Sequence, residues 1–144
     1  MKTCWSPRCS AGGRTERDSY AFCQGILREC ELLDKANTPA GALTLLDRKR
    51  LELARALASD PKLLLLDGIP GGLTDGESKA LVGLVRRSRD RGVTIVWIEH
   101  VLHAIMAVAD RMLVLNFGEK IAEGLPRDVI NNIDVKRVYG GIEG

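Results

Sequence analysis

Aromatic residues make up only 4% of this 144-residue chain, and charge of one sign is equally scarce, with 21 basic against 19 acidic side chains. The charges are mixed along the chain, so the net +2 leaves a weak overall field. With few rings to stack on bases, Arg48-Lys49-Arg50 and the group Arg86, Arg87, Arg89 and Arg91 read as solvated helix faces, and no nucleic-acid partner is expected. Long apolar runs are missing too. The longest, such as Leu63 to Leu66 and Ile105 to Ala109, fall far short of the ~20 residues that span a bilayer. Met1 to Ser10 holds Lys2, Arg8 and two cysteines where a signal peptide would be apolar, so a cytoplasmic location is expected. The cysteines, at positions 4, 9, 23 and 30, include no C-x2-C pair that lets one turn present two thiolates to zinc. Cys23 and Cys30 are spaced to share one helix face, where packing is their expected role.

What is present is enough apolar material, 45% of residues, for a real core. Residues 1–18 mix Ser, Gly, Arg, Pro and Cys without a period and read as a disordered tail. A helical subdomain is predicted over 19–60. Its first helix starts at Ser19, with Phe22, Ile26, Leu27, Cys30 and Leu33 at steps of three and four, and runs out near Asp34 to Asn37. A second starts near Thr44, and Ser59-Asp60-Pro61 stops it.

Over 61–144 the pattern changes to alternating strands and helices. Strands are expected at Leu63 to Asp67, Val93 to Ile98, Met112 to Leu115 and Lys120 to Glu123, with a hairpin turn at Asn116 to Gly118. Helices are expected at Glu77 to Arg91, Val101 to Ala109 and Arg127 to Asn131, and the C-terminal end reads as irregular. This order implies an α/β fold with a parallel sheet flanked by helices.

The two apolar runs that end in Asp67 and in Glu99-His100 read as buried strands with polar groups at their carboxyl ends, the rim where open α/β sheets bind ligands. A buried acid needs a partner. Asp67 either holds a cation such as Mg2+ or caps the next loop, and the run by itself leaves both open.

The wider order narrows this. Leu43-Thr44, Arg50 to Leu57, Leu63 to Asp67, Gly72-Leu73-Thr74 and Ile98-Glu99-His100 follow one another as in the C-terminal half of an ATP-binding cassette ATPase. The chain resembles most the ATPase subunits of branched-chain amino acid importers, for which the segment Gly118 to Gly124 is also typical. That resemblance covers residues 20–140 and implies an incomplete P-loop NTPase-like (RecA-like) sheet, preceded by the small helical subdomain. It implies ATP and Mg2+ as cofactors, membrane permease subunits as partners, and the cytoplasmic face of a membrane as location. Residue by residue, Asp67 takes the Walker B metal role and His100 the switch histidine that contacts the γ-phosphate. Gly72 to Asp75 matches the D-loop, with Asp75 a candidate nucleotide-site residue across a dimer interface. Leu43 to Asp47 matches the signature segment, making Thr44 and Asp47 candidate nucleotide contacts.

Three departures set the expected activity. Leu46 replaces a glycine that lets backbone approach phosphate, and Asp47 brings negative charge toward an anion. Gly68 stands where the family's catalytic Glu follows the Walker B Asp, and glycine accepts no proton. Strand alternation points Glu99 away from His100, so it is not expected to substitute. No G-x-x-x-x-G-K-[ST] string occurs, and Ala11 to Thr15 lacks its lysine. Two readings follow: a partial ATP-binding subunit of an importer that does not hydrolyse ATP alone, or a non-catalytic interaction module pairing with itself or with a complete ATPase.

Overall fold

The computed structural model describes residues 16–139, so Cys4, Cys9 and the Ala11 to Thr15 segment lie outside the described residues. Residues 16–18, expected in the tail, are helical. The described chain forms two compact units that part between Ile98 and Glu99.

In the first unit, α1 spans Glu16–Glu29 and buries Cys23, Ile26, Leu27 and, just past its end, Cys30. It stops earlier than the apolar spacing suggested. Glu31 takes a left-handed φ of 57°, its N–H donates to the Arg28 carbonyl and the Leu32 N–H to the Leu27 carbonyl, which closes the helix end. α2 (Leu45–Leu57) begins at the expected place because the Thr44 side chain accepts from the Asp47 N–H. α3 (Asp75–Asp90) starts two residues earlier than expected, at a full capping box in which Thr74 and Glu77 bond reciprocally. Leu81 and Val85 on its inner face are almost fully buried, each worth roughly 1.5–3 kcal/mol of apolar transfer.

β1 (Leu63–Asp67) and β2 (Thr94–Ile98) pair in parallel, Leu63 opposite Thr94 and Asp67 opposite Ile98. This is the expected parallel pairing. The expectation of strands buried on both faces is corrected: in β1 only Leu64 and Leu66 are buried, while Leu63, Leu65 and Asp67 are exposed. With only two strands and one face covered, alternation sends every second side chain to water.

The helical segment and the β1-α3-β2 segment lie in one unit. α2 packs on α3, and the Leu45 side chain reaches to 3.2 Å from where a Cβ on Gly72 would stand. Gly72, at φ 81°, is required there both for its backbone and for its bareness.

The second unit starts with α4 (Leu102–Met106), shorter than predicted, and continues through the antiparallel pair β3 (Met112–Asn116) and β4 (Glu119–Gly124). Phe117 and Gly118, at φ 46° and 84°, make the two-residue turn. Val114, Val129 of α5 (Pro126–Asn131) and Val135 of α6 (Ile133–Tyr139) form its core. α6 corrects the irregular C-terminal end expected from sequence. The signal was there: Asn132 Oδ1 accepts from the Asp134 N–H at 2.8 Å, a start cap before Val135.

Candidate functional site

Asp67 ends β1 on the exposed face, and its carboxylate makes no hydrogen bond or ion pair with the described residues. The next residue, Gly68, turns at φ 53° and its N–H donates to the Ile98 carbonyl at 2.9 Å, which ties the carboxyl ends of β1 and β2 together. Asp67 therefore does not cap its own loop, because a backbone carbonyl already satisfies the first N–H. A single unengaged carboxylate suits Mg2+, which keeps several waters and takes one or two carboxylates beside phosphate oxygens. Among the described residues no cluster of three or more His, Cys, Asp or Glu exists that would make a protein-only metal cage.

Asp75 opens α3 and is exposed, also without a partner among the described residues. Its charge sits favourably at a helix start. Glu77, two residues on, is held below the ordinary carboxylate range by hydrogen bonds from the Thr74 backbone and hydroxyl.

The signature-like segment is closed on itself. Asp47 is 2% exposed, so its charge does not face outward as expected from sequence. Its Oδ2 accepts from Lys35 Nζ and, at 2.9 Å, from the Thr44 hydroxyl, while Arg50 approaches Oδ1 at 3.5 Å. Burial pushes the Asp47 carboxyl up, but hydrogen bonds from Lys35 and Thr44 and the charges of Lys35 and Arg50 outweigh it and hold it below the ordinary value. Arg50 also bonds Glu31, so this member of the Arg48 to Arg50 cluster is not a solvated face. Thr44 and Asp47 do not fit a phosphate: the hydroxyl is engaged in both directions and the backbone glycine is absent.

In the second unit, Glu99 and His100 sit side by side. Contrary to the alternation argument, Glu99 Oε1 lies 3.2 Å from His100 Nδ1. The chain has left β2 at Ile98, so the period of two no longer applies. Glu99 Oε1 also accepts from the His100 and Val101 N–H groups at 2.9 and 3.1 Å, and its side chain is fully buried while the His100 ring is 80% exposed. Sequence reasoning missed this contact, and the missing signal was the strand's end rather than a residue type.

The fold is that of known nucleotide-binding proteins. The ADP conformation of MJ1267, an ATP-binding cassette of an ABC transporter, superposes with a TM-score of 0.80 at 26% identity, over 89% of this chain and 52% of that one. The chain is 34% identical over 129 residues to the high-affinity branched-chain amino acid transport ATP-binding protein BraF of Pseudomonas aeruginosa, across 89% of this chain and 51% of BraF. Its relatives and structural neighbours are ATP-binding cassette proteins. It is also 39% identical over 116 residues to LivG of Escherichia coli, a protein of the same description, across 80% of this chain and 46% of LivG. The chain spans about half the length of the curated relatives it matches. No family model matches it.

The segments that the sequence resemblance matches to Walker B, D-loop and switch fall on β1, the start of α3 and the residues after β2. Gly71 and Gly72 belong to the turn before α3, where Gly71 sits against the Gly68 carbonyl.

Proposed function

We propose that the chain is a partial ATP-binding subunit of an importer, with Asp67 in the Mg2+ role, His100 on the γ-phosphate, and Asp75 facing a second ATPase subunit. The observation that carries this reading is the unengaged Asp67 carboxylate at the end of β1, beside a parallel β2 that leads directly into Glu99-His100. When bound, magnesium would spread phosphate charge; the chain's own part is to hold one coordination position and orient one imidazole. Hydrolysis by this chain alone is not expected. Gly68 accepts no proton, and the sequence contains no P-loop string to supply the bulk of phosphate binding. By family resemblance its partners are permease subunits and its place the cytoplasmic face of a membrane; among the described residues no helix is long and apolar enough to cross one.

A second reading, a non-catalytic interaction module, draws on the Thr44 to Asp47 closure, which removes the hydroxyl from phosphate contact. Calorimetric titration with Mg-ATP separates the two. Affinity of ~1 mM or tighter, weakened by Asp67→Asn, supports the nucleotide role. No binding, together with a stable oligomer of itself or with a complete ATPase, supports the interaction module.

A further inference from the structure

We infer that Glu99 is a positioning residue for His100: its carboxylate holds the imidazole in the tautomer protonated at Nδ1 and leaves Nε2 as the bare acceptor. The carboxylate is fixed first. Two consecutive main-chain N–H groups, of His100 and Val101, donate to Oε1 at 2.9 and 3.1 Å, and the side chain has no solvent exposure. His100 Nδ1 lies 3.2 Å from the same oxygen. An ionised carboxylate only accepts, so a lone pair on Nδ1 would face it unfavourably, whereas a proton there is attracted. Oε2 is buried with no hydrogen-bond partner among the described residues, which leaves the carboxylate short of donors and strengthens its hold on any hydrogen nearby.

A buried carboxylate that fixes one ring nitrogen and frees the other is how imidazoles are set up as proton acceptors in unrelated sites. In the role proposed above for His100, the bare Nε2 would accept from a water or a protonated phosphate oxygen beside it. That consequence rests on the nucleotide reading, but the tautomer does not.

The test is long-range 1H–15N NMR on the 15N-labelled full chain at about pH 8, where an unperturbed imidazole is neutral. His103, three residues on and exposed, has no carboxylate partner among the described residues and is the internal reference. The expected result is a His100 ring mainly protonated at Nδ1 and a His103 ring mainly at Nε2. In Glu99→Gln the His100 ratio should move toward Nε2 by roughly threefold, a modest change because the ring is largely in water. A wild-type His100 protonated mainly at Nε2 overturns the inference, as does an unchanged ratio in a folded Glu99→Gln. Should that variant fail to fold, the wild-type spectrum decides. Absence of Mg-ATP binding with the Nδ1–H tautomer present would remove the nucleotide role and leave this assignment standing.

Discussion

Thr44 and Asp47 satisfy each other: the Asp47 N–H donates to Thr44 Oγ1 at 3.2 Å, and the Thr44 hydroxyl donates back to Asp47 Oδ2 at 2.9 Å. A segment that in sequence looks like a damaged phosphate contact is, in the fold, the start cap of α2 and the anchor for Lys35, from a separate turn, and for Arg50, one turn further along α2.

Removing that anchor should therefore cost stability. Asp47→Ala leaves Arg50, largely buried, short of a partner and takes away the α2 first-turn bond. The expected loss is about 2 kcal/mol, read from urea denaturation, with Thr44→Ala losing about 1 kcal/mol. A loss in Asp47→Ala no greater than that of an exposed surface substitution would show that the Lys35 and Arg50 contacts contribute nothing net.

The same carboxylate sets an acid limit. Its folded-state value is depressed, so its contribution is fully present above the unfolded value of about 3.9 and is lost as pH falls through the folded one. Glu77, bonded by Thr74, and Glu123, bonded by Lys120 and near Arg111, act in the same direction. Melting temperature should fall as pH drops below about 4, and less steeply in Asp47→Asn, in which this group no longer titrates.

Two glycines should respond oppositely to alanine. Gly68 sits at φ 53°, a conformation an L side chain resists, so Gly68→Ala should cost about 1 kcal/mol even though its Cβ would meet nothing. Gly76, in the first turn of α3 with open space around it, should gain about 0.5 kcal/mol as alanine. Because the sequence contains no P-loop string to hold the phosphates, Gly68→Glu should not create ATP hydrolysis in this chain, which a phosphate-release assay checks.

The open face of the β1-β2 sheet carries Leu63, Leu65, Val96 and Ile98, each at least half exposed. Apolar surface of this kind on a short sheet recruits other chains. Sedimentation velocity at micromolar concentrations should show self-association, and the double substitution Leu65→Lys with Ile98→Lys should reduce it. A wild-type monomer with the same profile as the double variant would contradict this.

The parallel strand pair, the starts of α2 and α3 and the β3-β4 hairpin were all legible in the chain. The helix starts and the hairpin depend on neighbours within a few positions: Thr44 and Asp47, Thr74 and Glu77, the Phe117-Gly118 turn. Even α6 had its local mark in Asn132, although its end was read as irregular. The candidate site was legible only as a list of residue types. Sequence alone makes Asp67 a buried acid at a strand end, because an apolar run looks the same whether one or both faces are covered, and coverage is a matter of how many strands and helices assemble around it. Asp47 was read as an outward negative charge because its neutralising cations come from Lys35, in a separate turn, and from Arg50, which also holds Glu31 beyond the end of α1. Glu99 was turned the wrong way because the strand ended one residue before it. Local chemistry chose the elements, but which charges are paired and which side chains meet water depended on contacts between segments far apart in the chain, where short-range periodicity has no reach.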